Sequence, residues 1–228
     1  YEYFTNHFVD EQFGGVYWTV DYLGNSLDTK KQTYATSFAV YALSEYFKCS
    51  ENPEVREEAI KLYGDILNHS RDKKAGGYFE AFARDWSEME DIRLSAKDAN
   101  EKKSMNTHLH VIEGFANLYT IWPDEKLKSN IKELLDLFSN FIIDKNNHHL
   151  HLFFQEDWTV KGDTISYGHD IEAAWLLQEA AEIIKDEMYI DRFKKLAVLM
   201  AESSIKGLDK DGGLWYEYEP VENHLIKQ

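Results

Sequence analysis

Apolar residues recur along this chain at helical spacing in six stretches, and the stretches come in pairs. The spans are 30–48 with 54–69, 104–121 with 125–143, and 168–184 with 187–206. The second member of each pair is amphipathic. Val55, Ala59, Leu62, Tyr63 and Ile66 form one stripe opposite Glu57, Glu58 and Lys61. Leu127, Ile131, Leu134, Leu135 and Phe138 form the next, opposite Lys128, Lys132 and Glu133, and Ile190, Phe193, Ala197 and Met200 repeat the pattern. Each of these helices has one wet and one dry face. The first members differ. Residues 32–47 carry one charge, Glu45, and residues 104–121 carry one, Glu113. Helices so poor in charge are covered on most sides. The pattern therefore predicts shielded helices backed by outer ones.

Between the pairs lie recurring glycine turns: Phe13-Gly14-Gly15-Val16-Tyr17, Ala75-Gly76-Gly77-Tyr78-Phe79 and Asp211-Gly212-Gly213-Leu214-Trp215. His148-His149-Leu150-His151-Leu152-Phe153-Phe154 is a variant without glycine. Short alternating aromatic runs such as Gly77–Phe82 follow and predict strands or hairpins. Helix pairs stacked in a ring give an all-α (α/α) toroid with short β-hairpins in its loops, here with three pairs in one domain spanning residues 1–228. An open α-solenoid of helix pairs is the alternative.

Composition narrows the partners. A net charge of −16 argues against nucleic acid and against an anionic membrane surface. Aromatic residues number 13 Phe, 14 Tyr and 6 Trp, more than a core needs, and Tyr and Trp make flat amphipathic walls for sugar rings. Cys49 is the only cysteine, which fits a reducing, cytoplasmic compartment. The chain opens on Tyr1-Glu2-Tyr3 rather than methionine and closes on Asn223–Gln228 without a closing helix, so a segment truncated at both ends is expected.

The candidate chemistry lies on the shielded helices. In Ser166-Tyr167-Gly168-His169-Asp170-Ile171-Glu172, His169 and Glu172 sit at i and i+3 and share a helical face. They can serve acid–base chemistry or form a buried packing pair. In the helix at 104–121, Asn106, His110, Glu113, Gly114 and Asn117 fall on a polar face, which needs a wet cavity or a hydrogen-bonded network. His108 falls with the apolar set and reads as structural. Tyr167 and Trp175 are candidates for a sugar pocket, and Asp98 for a surface turn or a substrate contact. His148, His149 and His151 cluster, but no HExxH motif or cysteine partner accompanies them, so no metal is assigned and the triplet reads as a solvated hairpin.

Two runs carry a family resemblance: Ser104-Met105-Asn106-Thr107-His108-Leu109-His110-Val111-Ile112-Glu113 and Ser166-Tyr167-Gly168-His169-Asp170-Ile171-Glu172-Ala173-Ala174-Trp175. They resemble the cellobiose 2-epimerases of the N-acylglucosamine 2-epimerase superfamily. The resemblance implies an (α/α)6 barrel that epimerises C2 of the reducing-end sugar of β-1,4-linked disaccharides. The implied route is ring opening and a cis-enediol, with no cofactor. His169 matches an acid/base histidine, Glu172 a carboxylate that assists ring opening, and His110 a histidine near the C1 and C2 oxygens. Asn106 and Asp98 match polar contacts to the sugar, and Tyr34 a pocket-wall tyrosine. The family also has a second acid/base histidine, a tryptophan pair and an arginine without matching motifs here. His224 shows none, and these 228 residues alone are expected to be inactive. The expected partner is a small disaccharide, and the expected assembly a monomer or weak homodimer. The competing reading is an (α/α)6 glycoside hydrolase using Glu172 with Asp98 or Glu113 as paired carboxylates.

Overall fold

A computed structural model describes residues 1–226; Lys227 and Gln228, the end of the closing stretch, lie outside the described residues. A short helix α1 (Glu2–His7) comes first, and the periodicity does not foreshadow it. The shielded helices are α2 (Thr33–Ser50), α4 (Met105–Ile121) and α6 (Tyr167–Ile183). The outer ones are α3 (Pro53–Asp65), α5 (Glu125–Leu137) and α7 (Glu187–Ser204). Helix α4 packs between α2 and α6, each backed by its own outer helix, so three pairs form two layers of an all-α (α/α) barrel.

Local chemistry sets the ends of the helices. Asn52, Asp124 and Asp186 cap α3, α5 and α7 with side-chain oxygens that accept backbone N–H groups. Helices α3 and α5 each run on into one wider π turn, Ile66–Ser70 and Phe138–Ile142, which completes the longer spans read from sequence. The core lies between the layers. Val55, Ala59, Leu62 and Ile66 from one outer helix and Leu127, Ile131, Leu134 and Phe138 from the next are fully buried with Leu109, Ile112 and Phe115 of α4. Gly114 is needed where α4 meets α2, because a Cβ there would lie 2.6 Å from the Ser37 carbonyl oxygen.

A two-residue strand leads into each shielded helix: β3 (Lys31–Gln32), β5 (Lys103–Ser104) and β8 (Ile165–Ser166). Each pairs antiparallel with a strand that follows the next glycine-type turn, namely β4 (Ala81–Phe82), β6 (Phe153–Phe154) and β9 (Glu217–Glu219). Strands β7 (Val160–Lys161) and β10 (His224–Ile226) extend the last two sheets, and β1 (Thr19–Val20) pairs with β2 (Ser26–Asp28). These hairpins gather at the N-terminal ends of the shielded helices. In the glycine-free turn His148 takes the left-handed conformation, φ 62°, that Gly76 takes at φ 75°. Two of the turns are braced by buried lysines: Lys31 Nζ lies 2.9 Å from Asp10 and Lys103 Nζ 2.7 Å from Asp72, with both lysines fully buried.

Candidate active site

At the hairpin end a cleft of about 510 Å³ opens over the starts of α4 and α6. Asp98, Asn106 and His169 all line it. Asn106 Oδ1 is buried and has no hydrogen-bond partner among the described residues, an unsatisfied acceptor on a residue that lines the cleft. Asp98 accepts the Ser95 N–H at 2.8 Å, within the loop that walls the cleft. His169 sits in the first turn of α6. Its Nδ1 lies 2.8 Å from Ser166 Oγ, leaving Nε2 as the ring atom open to proton exchange. Burial lowers the imidazole pKa below its ordinary 6.5, Glu172 pulls it back up, and His110 lowers it again. The imidazole is thereby held toward its neutral, basic form.

His110, Glu172 and Tyr34 form an adjoining group. The Nδ1–H of His110 donates to Glu113 Oε2 at 2.8 Å, which fixes the ring and frees Nε2. That ring stands edge-on to Tyr34 at 4.9 Å and tilted over Phe38 at 4.5 Å. Burial raises the Tyr34 phenol pKa, and the Glu172 and Glu113 carboxylates raise it further, so the hydroxyl stays a protonated donor. The two groups are joined electrostatically, since Glu172 and His110 both act on His169.

Several neighbours differ from their sequence reading. Tyr167 is buried beneath α6, not in the cleft, and Trp175 is 54% exposed and also outside it. Asn117 is tied to α2, bonding Lys48 Nζ at 2.6 Å and the Tyr41 carbonyl at 3.1 Å. His149 is not solvated: it is buried and donates from Nδ1 to Asp170 Oδ2 at 2.6 Å. The triplet splits because His151 turns to Asp144 instead, at 3.4 Å. Among the described residues no group of three or more His, Cys, Asp or Glu is placed to hold a metal ion. His108 behaves as read. Its Nε2 accepts the Tyr78 N–H at 2.9 Å, its Nδ1–H donates to the Ser104 carbonyl, and burial drops its pKa to about 4. His224 pairs with Glu219 at the exposed surface.

Sequence reasoning does not single out Glu80, which also lines the cleft. Its oxygens accept the Ser104 N–H at 2.6 Å and the Thr107 hydroxyl at 2.7 Å, and burial raises its pKa to about 7. Its place in an aromatic run gives no signal of this. Glu217 reaches the same cleft from β9, and Tyr216 from the residue just before it. Among the described residues no helix is long and apolar enough to cross a membrane.

Known proteins resemble this chain in sequence and in fold. A cellobiose 2-epimerase of Bacteroides fragilis is 47% identical over 223 residues, which cover 98% of this chain and 57% of the relative. The solved cellobiose 2-epimerase of Bacillus thermoamylovorans B4167 superposes with a TM-score of 0.93 at 38% identity, over 99% of this chain and 57% of that one. A family 76 glycoside hydrolase (mannosidase) of Bacteroides thetaiotaomicron shares the fold alone, with a TM-score of 0.64 at 11% identity. The chain spans a little over half the length of the epimerases it matches. The family model for N-acylglucosamine 2-epimerase (GlcNAc 2-epimerase) matches residues 1–228, and the chain belongs to that family.

Proposed function

We propose that this chain carries part of the active site of a carbohydrate 2-epimerase. The substrate class is a β-1,4-linked disaccharide such as cellobiose, whose reducing-end glucose becomes mannose. The observation that supports this best is the nearness of two imidazoles and a carboxylate on two adjacent shielded helices, His169 lining the cleft with His110 and Glu172 close enough to act on it.

The proton at C2 of an open-chain aldose is weakly acidic, so a base must be placed on it and the enediol oxygens need donors. His169, held toward its neutral form, takes or returns the C2 proton through Nε2. Glu172 assists opening of the sugar ring and holds its hydroxyls. His110 serves the C1 and C2 oxygens, with its Nδ1 locked by Glu113. Asn106 and Asp98 bind the reducing-end sugar, and Tyr34 walls the pocket. Transfer on the opposite face needs a second base, which the family resemblance assigns to a histidine motif not found in these residues.

The hydrolase reading asks two carboxyl groups to flank a glycosidic bond. One of its candidates, Glu113, is already engaged by His110. Incubating the full-length protein with cellobiose separates the readings. An isomeric disaccharide is expected, and release of free glucose would favour the hydrolase.

A further inference from the structure

Directly behind the first turn of α6 lies a buried pair that the proposed chemistry does not use. Asp170 is fully buried. Its Oδ2 accepts from His149 Nδ1–H at 2.6 Å, and its Oδ1 accepts the Leu150 N–H at 2.8 Å. The Tyr167 ring stands edge-on to the His149 ring at 5.8 Å. Its other contacts leave little room, since a Cβ on Gly207 would come within 2.3 Å of it. The turn that carries His149 is held from the far side as well, because Ser203 Oγ of α7 donates to the Asn147 carbonyl at 2.5 Å.

In sequence Asp170 stands one residue after His169 and two before Glu172. Successive helical residues are about 100° apart, so His169 and Glu172 lie about 60° apart on one side and Asp170 projects away from both. Gripping Asp170 therefore fixes the rotation of the turn that presents the other two. A buried carboxylate is a costly way to pack a helix, because its desolvation must be offset by partners. The corresponding positions in the sister helices, Thr36 and His108, do without a carboxylate.

We propose that Asp170 and His149 form a positioning pair, which sets the rotation of the α6 turn that carries His169 and Glu172 and places the Asp170 carboxyl behind His169. This rests on the epimerase reading above. The groups that act on the His169 imidazole support it: Glu172 and Asp170 on its own helix, His110 on α4, and Asp98 in the cleft loop. Both α6 carboxylates and Asp98 favour its protonated form, against burial and His110.

The test uses the full-length protein with Asp170→Asn and His149→Gln. Exchange of the cellobiose C2 proton in heavy water gives kcat, KM and the pH profile, and the His169 imidazole is titrated by NMR without substrate. Asp170→Asn is expected to lower kcat about tenfold to a hundredfold with little change in KM, as misplacement of a reacting group does. It should also move the His169 titration, and the limb of the profile that reports it, to lower pH. His149→Gln replaces the imidazole held at 2.6 Å to Asp170 Oδ2 and should lower kcat in the same direction, again with little change in KM. If Asp170→Asn does not fold, the kcat loss in His149→Gln carries the test. Wild-type kcat in every variant that folds, or an unmoved His169 titration in a folded Asp170→Asn, would overturn the pair's role. A wild-type protein that exchanges no C2 proton would overturn the epimerase reading instead, while the NMR titration still decides the pair.

Discussion

Helices α4 and α6 begin alike and end up doing different work. Each follows a two-residue strand ending in serine, Ser104 or Ser166. In α4 that serine is a helix cap, its Oγ accepting the Thr107 N–H at 3.0 Å. In α6 the cap bond is missing and the hydroxyl meets His169 Nδ1 at 2.8 Å. The third helical residue is Thr107 in α4, bonded to buried Glu80, and His169 in α6. The fourth residue is an anchor in both: His108 accepts the Tyr78 N–H and Asp170 the Leu150 N–H. The sixth is His110 or Glu172, and in α2 it is Phe38. One scaffold repeats, and its second, third and sixth helical positions carry Tyr34, Asn106, His169, His110 and Glu172. The proposed chemistry varies at these positions while the fourth position anchors α4 and α6.

The comparison breaks most visibly at the third position. His169→Ala in the full-length protein is expected to cut C2 proton exchange about 10³-fold, the scale of losing an acid–base group, with the thermal midpoint nearly unchanged. Exchange within tenfold of wild type would show that α6 carries no base.

A second test concerns the frame. Lys103 Nζ is fully buried and donates to Asp72, the Gly76 carbonyl and the Glu156 carbonyl. The third pair has Ile165 at this place. Lys103→Ile leaves Asp72 without its cation and should cost about 3–5 kcal/mol in urea unfolding. Adding Asp72→Asn should recover part of that, and no recovery would show that the ion pair is not the brace.

The fourth-position anchors differ in charge, which predicts a pH dependence. The His108 pKa is about 4 in the folded chain against an ordinary 6.5. The unfolded chain binds the extra proton first, so this group's contribution is complete above pH 6.5 and is lost as pH falls toward 4, by about 3 kcal/mol. His108→Gln should flatten the stability profile across that window, and an unchanged slope would place the titration elsewhere. The smallest effect separates the serines. Ser104→Ala should cost about 1 kcal/mol of stability as a lost cap, whereas Ser166→Ala should lower exchange more than stability.

Much of this was legible in the chain. Stripes such as Leu127, Ile131 and Leu134 face one way only if the segment is helical, and the near-absence of charge in 104–121 marks α4 as shielded. The motif around His169 and Glu172 sits at a helix start as its spacing implies. The π turns at Ile66–Ser70 and Phe138–Ile142 left no trace in the sequence, since one added residue per turn hardly disturbs an apolar stripe. His149 misled because adjacent histidines in a turn point oppositely, and its partner Asp170 is fixed by tertiary packing. Glu80 was hidden for the same reason: its partners Ser104 and Thr107 lie on another element.

In the proposed function His169, His110 and Glu172 act together on a proton at C2. Incubating the full-length protein with cellobiose in heavy water tests it most directly, by NMR of the reducing-end sugar. Deuterium is expected at C2 in both the recovered cellobiose and the glucosyl-mannose formed, and is expected to be lost in His169→Ala. Conversion of the disaccharide with C2 still protiated, or free glucose as the sole product, would contradict it.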